Sequence, residues 1–384
     1  MTRRRPELAG VSLLLGWTVS EAPLLCAVGQ TILHIRGLRR LGPLGRAALW
    51  LLTPALWIFY AFMYREGRKA GGIAAGALSN EIPDHEGPVL SGVAPRRVAP
   101  YRPLPLLHRD YTTSDTRDIA YGPDPKFNRL DIWRRPDIPT SQHTPVLVQI
   151  HGGGWMIGDN KTQALPLLAA AAEAGWTCVV PRYRLSPRAP WPDHIIDVNS
   201  VIAWTKANIA TFGGDASFVA ITGGSAGGHL TSLAALASSH PDFKPGFEDA
   251  DTSVQAAVPF YGAYDWTDRD GTQGPTLAEF IARWVVKRSK TEAPDVYERA
   301  SPRSWIRPDA PPFFVLHGVI DSLLTVEQAR AFVNELRATS TSPVVYAELP
   351  WAEHAFDLTQ SVRTRGVIPP ILSFLKTAYE ATRD

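Results

Sequence analysis

A serine surrounded by glycines has the strongest chemical signature in this sequence. Residues 221–228 read Ile-Thr-Gly-Gly-Ser-Ala-Gly-Gly, so Ser225 lies within the pattern G-x-S-x-G. The apolar run before it predicts a buried strand and residues 229–237 predict a helix, which places Ser225 in a tight strand-to-helix turn. Such a turn exposes a serine nucleophile, and the helix that follows favours negative charge at its N-terminus. A turn that only lets a helix pack close to a sheet is the alternative.

A run of three glycines lies upstream, in residues 151–155, which read His-Gly-Gly-Gly-Trp and end an apolar strand. Glycine loses more conformational freedom on folding than any other residue, so such a run indicates that no side chain is tolerated there. Backbone N–H groups that point at an oxyanion are one reason, and His-Gly-Gly-Gly is the form found in lipases and esterases. We therefore expect an oxyanion hole from the N–H groups of Gly152, Gly153, Gly154 and Ala226.

An acid and a base follow Ser225 in the order that a doubly wound serine hydrolase requires. Asp321 comes soon after an apolar strand at residues 313–316, and His354 lies in the loop after the last strand. In such a site the histidine accepts the serine proton while the carboxylate orients and stabilises the histidine ring. The alternatives within the same segments are His317 as the base and Glu353 or Asp357 as the acid.

The elements that must carry these residues alternate from about residue 117 onwards. Residues 118–121 and 129–133 predict an antiparallel hairpin, after which apolar strands alternate with amphipathic helices. Strands that are apolar without interruption indicate a mostly parallel, doubly wound sheet with helices on both faces. We assign residues 110–384 to this α/β catalytic domain, and we expect the carboxyl ends of its strands to bring the three residues together.

An irregular insert at residues 263–309 interrupts this alternation and contains several aromatic residues. We expect the insert to cap the acyl-binding pocket, because small-molecule pockets are lined mainly by apolar and aromatic side chains. Trp155, Trp266 and Trp284 are the candidates for the pocket lining. These aromatic residues could equally belong to the hydrophobic core.

The first 69 residues differ in composition from the rest of the chain. They carry ten arginines and lysines against three glutamates, and they contain apolar stretches at residues 8–35 and 47–64. The second stretch is uncharged and about the minimum length for a helix that crosses ~30 Å of hydrocarbon, whereas Glu21 interrupts the first. We predict one or two membrane-spanning helices in residues 1–69 and association with lipid of the cell membrane. A signal peptide and a cap over the active site are the alternatives.

Residues 70–109 are rich in glycine, proline and alanine and predict a linker. A body that begins near residue 110 should then be separable from the N-terminal helices and keep its activity. Positive charges on the two sides of the apolar stretches are nearly balanced, so both orientations in the membrane stay open.

The overall composition narrows the class of partner. A net charge of +2 gives no reason to expect nucleic acid, and two cysteines in separate apolar segments provide no disulfide framework. No histidine, cysteine or carboxylate cluster has metal-ligand spacing, and the glycine runs do not match a phosphate loop. We therefore expect a small-molecule substrate and no metal or cofactor.

These motifs resemble those of the hormone-sensitive-lipase-like esterase group of α/β-hydrolases, and the chain is similar also to bacterial acetylxylan and feruloyl esterases. The resemblance runs from about residue 117 to residue 376. Residues 151–154 match the oxyanion motif, residues 223–228 the nucleophile motif, and residues 183–187 with Trp191-Pro192 and Asp197 the floor beside the site. The group usually has Asp where this chain has Gly224, and this departure favours the acetylxylan and feruloyl side.

The resemblance implies a serine carboxylic-ester hydrolase, an esterase or lipase that works through an acyl-enzyme on Ser225. A peptidase or amidase on the same fold would use the same triad and is the first alternative. A non-catalytic hydrolase-fold binding module is the second. Plant gibberellin receptors resemble this group but lack the catalytic histidine, so the presence of His354 argues against that alternative.

Overall fold

A computed structural model describes residues 9–94, 109–238 and 240–383. Its centre is a sheet of eight strands in the order β1-β2-β4-β3-β5-β6-β7-β8. The strands are β1 (Ile119–Ala120), β2 (Arg129–Trp133), β3 (Thr144–Ile150), β4 (Thr177–Pro181), β5 (Gly214–Gly224), β6 (Ala256–Phe260), β7 (Phe313–Gly318) and β8 (Val344–Leu349). β2 pairs antiparallel with β1 and β4, and all other neighbours are parallel. The mostly parallel sheet expected from the sequence is therefore confirmed.

Helices pack on both faces of this sheet. The helices are α1 (Ala9–Glu21), α2 (Pro23–Arg40), α3 (Pro43–Glu81), α4 (Leu165–Glu173), α5 (Asp193–Asn208), α6 (Ala226–Ala237), α7 (Pro275–Phe280), α8 (Pro294–Ala300), α9 (Val326–Thr339) and α10 (Val362–Glu380). Of these, α1 and α2 pack against α3. Val146 and Val148 of β3 lie in one core with α5, α6 and α9, and Leu147 lies in the other with α3, α4 and α10. Burial on both faces explains why the strands are apolar at every position.

The carboxyl ends of four strands meet at one edge of the sheet. Gly224 of β5 pairs with Phe260 of β6, and Phe260 pairs with Leu316 of β7. Gly318, which ends β7, pairs with Leu349, which ends β8. The segments that carry Ser225, Asp321 and His354 directly follow these ends, so the topology delivers all three segments to the same edge.

The N-terminal region contains three helices, and the last one is longer than the sequence indicates. α3 continues to Glu81, so the linker predicted over residues 70–109 is wrong for residues 70–81. Ala70, Ala74 and Leu78 form a buried face of α3 in the core that α10 also lines. A Cβ added at Gly71 would lie 2.9 Å from the carbonyl oxygen of Gly366 in α10, so glycine at both positions allows the two backbones to approach closely.

Two parts of the sequence interpretation lie outside the described residues: the arginines at positions 3–5 and residues 95–108 of the predicted linker. Within the described residues one helix, α3, is long and apolar enough to cross a membrane, judged by length and composition. Only 11% of its most apolar 18-residue segment is buried inside the fold. The first apolar stretch is divided at Ala22 between α1 and α2. Residues 263–309, the predicted cap, connect β6 to β7 and contain α7, α8 and a π-helical segment at Ile281–Val286.

Candidate active site

Ser225 occupies the turn between β5 and α6. Its backbone has φ 58° and ψ −120°, a conformation that costs free energy for any residue with a side chain. The Ser225 N–H donates to the carbonyl oxygen of Phe260 at 3.0 Å and thereby ties the turn to the neighbouring strand. A Cβ added at Gly227 would lie 2.1 Å from the carbonyl oxygen of Ile150, so α6 can begin this close to β3 only with glycine there.

His354 and Asp321 form a buried pair at the same edge. Nδ1 of His354 lies 2.7 Å from Oδ2 of Asp321. Oδ1 of the same carboxylate accepts from the N–H groups of Leu323 and Leu324, at 2.9 and 2.8 Å. Burial alone would lower the pKa of His354, but the charge and hydrogen bond of Asp321, together with the charges of Glu353 and Asp357, raise this pKa. Conversely, burial would raise the pKa of Asp321, and the contacts with His354 together lower it.

The alternative acids and base have other partners. Nε2 of His317 lies 3.0 Å from the carbonyl oxygen of Leu324 and 3.5 Å from Asp321 Oδ2, and burial lowers the pKa of His317. Oε1 of Glu353 accepts from the N–H groups of Ser322 and His354, at 2.6 and 2.9 Å. Asp357 accepts a hydrogen bond from the hydroxyl of Tyr261. Asp321 is therefore the carboxylate aligned with the His354 ring.

Tyr261 contacts the His354 ring and also the backbone position before Ser225, and nothing in the sequence pointed to this residue. Its ring centroid lies 4.7 Å from that of His354. A Cβ added at Gly224, directly before Ser225, would lie 2.6 Å from the Tyr261 hydroxyl oxygen. The Tyr261 hydroxyl thus fills the space that a side chain at position 224 would need, which gives a physical reason for the departure from the usual Asp. The backbone of Tyr261 has a positive φ of 35°, which the sequence does not reveal.

The glycine run lies beside Ser225. A Cβ added at Gly152 would lie 3.3 Å from Cβ of Ser225. Gly153 and Gly154 have φ values of 114° and 59°, in the region that favours glycine. The N–H of Gly152 donates to Oε1 of Gln163 at 2.6 Å, so it is engaged, contrary to its predicted place in the oxyanion hole. The N–H groups of Gly153 and Gly154 donate to no protein acceptor within the described residues.

Histidines beneath the glycine run hold it in place. The His151 ring stacks on Tyr183 at 4.2 Å, and the Tyr183 hydroxyl donates to the His151 carbonyl oxygen at 3.0 Å. The indole N–H of Trp155 donates to Nδ1 of His229 at 3.2 Å, and Nε2 of His229 lies 2.7 Å from the Ala300 carbonyl oxygen. Burial lowers the pKa values of His151 and His229 to about 4, so both rings are neutral. Their roles are structural.

The three tryptophans predicted to line the pocket have different environments. Trp155 and Trp266 are buried, and their rings contact each other edge to face at 5.0 Å. They therefore belong to the core under the glycine run, which was the alternative left open. Trp284 is exposed on the insert and carries the Arg283 guanidinium over its ring. A further aromatic residue of the insert, Phe280, lies 3.3 Å from a Cβ added at Gly154 and thus stands at the glycine run.

Within the described residues no group of three or more histidine, cysteine or carboxylate side chains is arranged to hold a metal ion. This edge of the sheet brings together a serine, a buried imidazole–carboxylate pair and backbone N–H groups. This combination suits acyl transfer.

Comparison with known proteins points to the same class. The BD-FAE family model matches residues 130–336. The probable carboxylic ester hydrolase LipM of Mycobacterium tuberculosis is 46% identical over 377 residues, which are 96% of this chain and 86% of LipM. Esterase LipQ of the same organism is 47% identical over 72% of this chain and 65% of LipQ. A solved truncated carbohydrate esterase from gut microbiota matches with a TM-score of 0.56 at 20% identity, over 70% of this chain and 99% of that one, a likeness of fold.

The family match covers more than half of the chain, and the identity to LipM extends over nearly all of it. This chain therefore belongs to the BD-FAE family of α/β-hydrolases and is a carboxylic ester hydrolase.

Proposed function

We propose that the chain hydrolyses carboxylic esters by acyl transfer to Ser225, with His354 as the general base and Asp321 as its carboxylate partner. The observation that carries the proposal is the 2.7 Å contact between His354 Nδ1 and Asp321 Oδ2, at the sheet edge where Ser225 directly follows β5. The carboxylate accepts a hydrogen bond from Nδ1–H and so selects the tautomer whose Nε2 can take the proton of a serine hydroxyl.

Attack of Ser225 Oγ on the ester carbonyl transfers the hydroxyl proton to His354 and places a negative charge on the carbonyl oxygen. The N–H groups of Gly153, Gly154 and Ala226 are the proposed donors to this oxyanion, and Gly152 is left out because Gln163 occupies its N–H. His354 then gives the proton to the departing alcohol. A water molecule, deprotonated by the same ring, then attacks the acyl carbonyl, the bond to Ser225 Oγ breaks, and His354 returns the proton to Oγ.

The insert supports an acyl-binding role. Phe280, the last residue of α7, stands at Gly154, and Trp284 follows on the π-helical segment with an exposed side chain. Phe280 is therefore placed to contact an apolar acyl chain at the glycine run. We therefore propose Phe280 and Trp284 as the lining of the acyl side of the site, with residues 263–309 as the cap.

The N-terminal helices are proposed to bind a lipid membrane through an apolar hairpin, which we define as α2 and the first half of α3, residues 23–62. Nδ1 of His34 lies 2.9 Å from the Thr53 hydroxyl and links its two helices. The outer surface is apolar and exposed, as at Leu25, Leu51 and Ile58, which are 73%, 76% and 72% exposed. Exposed apolar surface on this scale is typical of a membrane or protein contact, and twenty helical residues span about 30 Å.

The catalytic proposal is tested with the full-length protein and a series of p-nitrophenyl esters from acetate to palmitate. Ser225→Ala should lose turnover by on the order of 10⁴- to 10⁶-fold while it keeps the fold. A fluorophosphonate probe should label the wild type at Ser225 and leave the variant unlabelled. The matching anilides separate ester hydrolysis from the amidase alternative. Normal turnover by Ser225→Ala would refute the proposal.

The membrane proposal is tested by sedimentation of full-length protein with vesicles that contain anionic lipid, followed by a carbonate wash. Insertion of apolar residues into the membrane survives the wash. Attraction between basic residues and anionic lipid does not, because salt screens it over roughly 8–10 Å. The Leu51→Ser/Ile58→Ser double variant should be released from the vesicles by the wash. The Arg39→Gln/Arg40→Gln double variant, changed near the loop between α2 and α3, should keep its wash-resistant binding. Release of the wild type by carbonate alone would refute insertion.

A further inference from the structure

The loop that carries His354, residues 350–361, is in contact with the far N-terminus of the chain. The indole N–H of Trp17 in α1 donates to the carbonyl oxygen of Ala355 at 2.8 Å. Ala355 directly follows His354 and has a positive φ of 60°, so its peptide group is held in an unusual orientation. Trp17 therefore fixes the backbone on one side of the proposed general base.

The residue on the other side of His354 is also covered by α1. Glu353 joins the loop to the acid, because Oε1 accepts from the N–H groups of both Ser322 and His354. A Cβ added at Gly16 would lie 3.0 Å from the second oxygen of this carboxylate, so the α1 backbone packs directly against it. A side chain at position 16 would press on the group that joins the acid and base segments.

An ion pair buried between α1 and α10 holds the start of the same loop. Oε1 of Glu21 lies 2.9 Å from Nε of Arg363, and neither side chain is exposed to solvent. Ser361 donates to the second oxygen of Glu21 at 2.7 Å. The two remaining guanidinium nitrogens donate to the carbonyl oxygens of Pro350 and Trp351, at 2.8 and 3.2 Å. Glu21 thereby holds Arg363 in place, and Arg363 in turn holds Pro350 and Trp351 at the start of the loop.

From these contacts we infer that α1 is a positioning element of the catalytic site, which holds the His354 loop through Trp17 and through the Glu21–Arg363 pair. The inference rests on the proposed function, because it assigns a role to the loop only if His354 is the general base. It also makes the N-terminal region part of the catalytic unit, so a body cut near residue 110 would lack the groups that hold its histidine.

The contacts bear on turnover more than on substrate binding. His354 must keep its Nδ1 within hydrogen-bond distance of Asp321 while Nε2 stays aligned with the serine, and a misplacement of about 1 Å can cost roughly 100-fold in rate. In the proposed function the glycine run and the insert line the acyl side of the site. None of the α1 contacts described above involves either of them. A change in α1 should therefore lower kcat and leave KM nearly constant.

The test uses full-length Trp17→Phe and Glu21→Gln, which remove one hydrogen-bond donor and one charge with little change in volume. Trp204→Phe on α5 is the matched aromatic control. Glu86→Gln is the matched charge control, because Glu86 ties the N-terminal region to Lys376 at the opposite end of α10. Fluorophosphonate titration counts the active sites in each preparation, so that kcat for p-nitrophenyl acetate is expressed per titrated site.

We expect kcat per titrated site to fall by about tenfold or more in both α1 variants, with KM within about twofold and both controls at the wild-type value. The acid limb of kcat/KM should also move to lower pH, because a histidine displaced from Asp321 is a weaker base. Glu21→Gln should add little to the loss in an Arg363→Gln background, since the glutamate acts through that arginine.

Wild-type kcat per titrated site in Trp17→Phe and Glu21→Gln, with fewer titrated sites, would assign α1 to folding alone and overturn the inference. An unchanged acid limb together with an unchanged kcat would do the same. Absence of wild-type labelling at Ser225 is a distinct result, which overturns the proposed function itself and the inference with it.

Discussion

Replacement of Asp321 by Asn tests the assignment of the acid most sharply, because the structure dictates how the new amide must point. Oδ1 accepts from two backbone N–H groups and Oδ2 faces His354. An amide that kept its oxygen toward the two N–H donors would turn its NH₂ toward His354 Nδ1. The opposite orientation would set NH₂ against both backbone donors and leave them unpaired, at about 1–3 kcal/mol each.

The amide is therefore held with its NH₂ toward the ring, and His354 must accept that hydrogen bond at Nδ1. Its proton then resides on Nε2, the atom that has to receive the proton of Ser225. The wrong tautomer costs on the order of 10⁴-fold in kcat, which corresponds to about 5.4 kcal/mol of transition-state stabilisation. The fold should be retained, because the two backbone hydrogen bonds at position 321 survive.

Asp357→Asn is the matched control. An amide keeps the size and shape of this side chain, and its oxygen can still accept from the Tyr261 hydroxyl. We expect a loss in kcat below about tenfold. Steady-state kinetics with p-nitrophenyl acetate, normalised to titrated sites, measures both variants. A larger loss in Asp357→Asn than in Asp321→Asn would refute the tautomer argument and the choice of acid.

Three further predictions concern the same edge of the sheet. kcat/KM should rise through an acid limb whose midpoint lies above about 6.5, because His354 acts only when neutral and Asp321 raises its pKa above that ordinary value; a midpoint below 6 would contradict this. Gly224→Asp should lower the thermal unfolding temperature, at a cost of about 1–3 kcal/mol from overpacking against Tyr261, and additional Tyr261→Ala should restore part of it. Gly153→Ala should abolish turnover, since its φ of 114° and the backbone packed against it leave no space for a Cβ; a variant with normal activity would remove this residue from the oxyanion site.

Local sequence patterns were sufficient to predict the sheet and the order of nucleophile, acid and base along the chain. Apolar runs bounded by turn residues predict the parallel strands, because both faces of such a sheet are buried, and G-x-S-x-G predicts the strained turn at Ser225. The same reasoning failed for α3 beyond residue 69. The glycines that follow residue 69 indicated a linker, yet Gly71 instead allows α3 to pack closely against Gly366 of α10.

The sequence by itself determined which groups can do chemistry, since nucleophile, base, acid and glycine run are local motifs whose order along the chain suits one fold. Only the tertiary structure decided which partner each group has. Gly152 is engaged by Gln163, Trp155 and Trp266 pack in the core, and Glu21 pairs with a residue more than 300 positions away. Contacts across such separations depend on the packing of whole helices, which leaves no periodic or local trace in the residues themselves. A glutamate within an apolar stretch was therefore interpreted as a cost to a membrane span, whereas the folded chain buries it beside an arginine at the histidine loop.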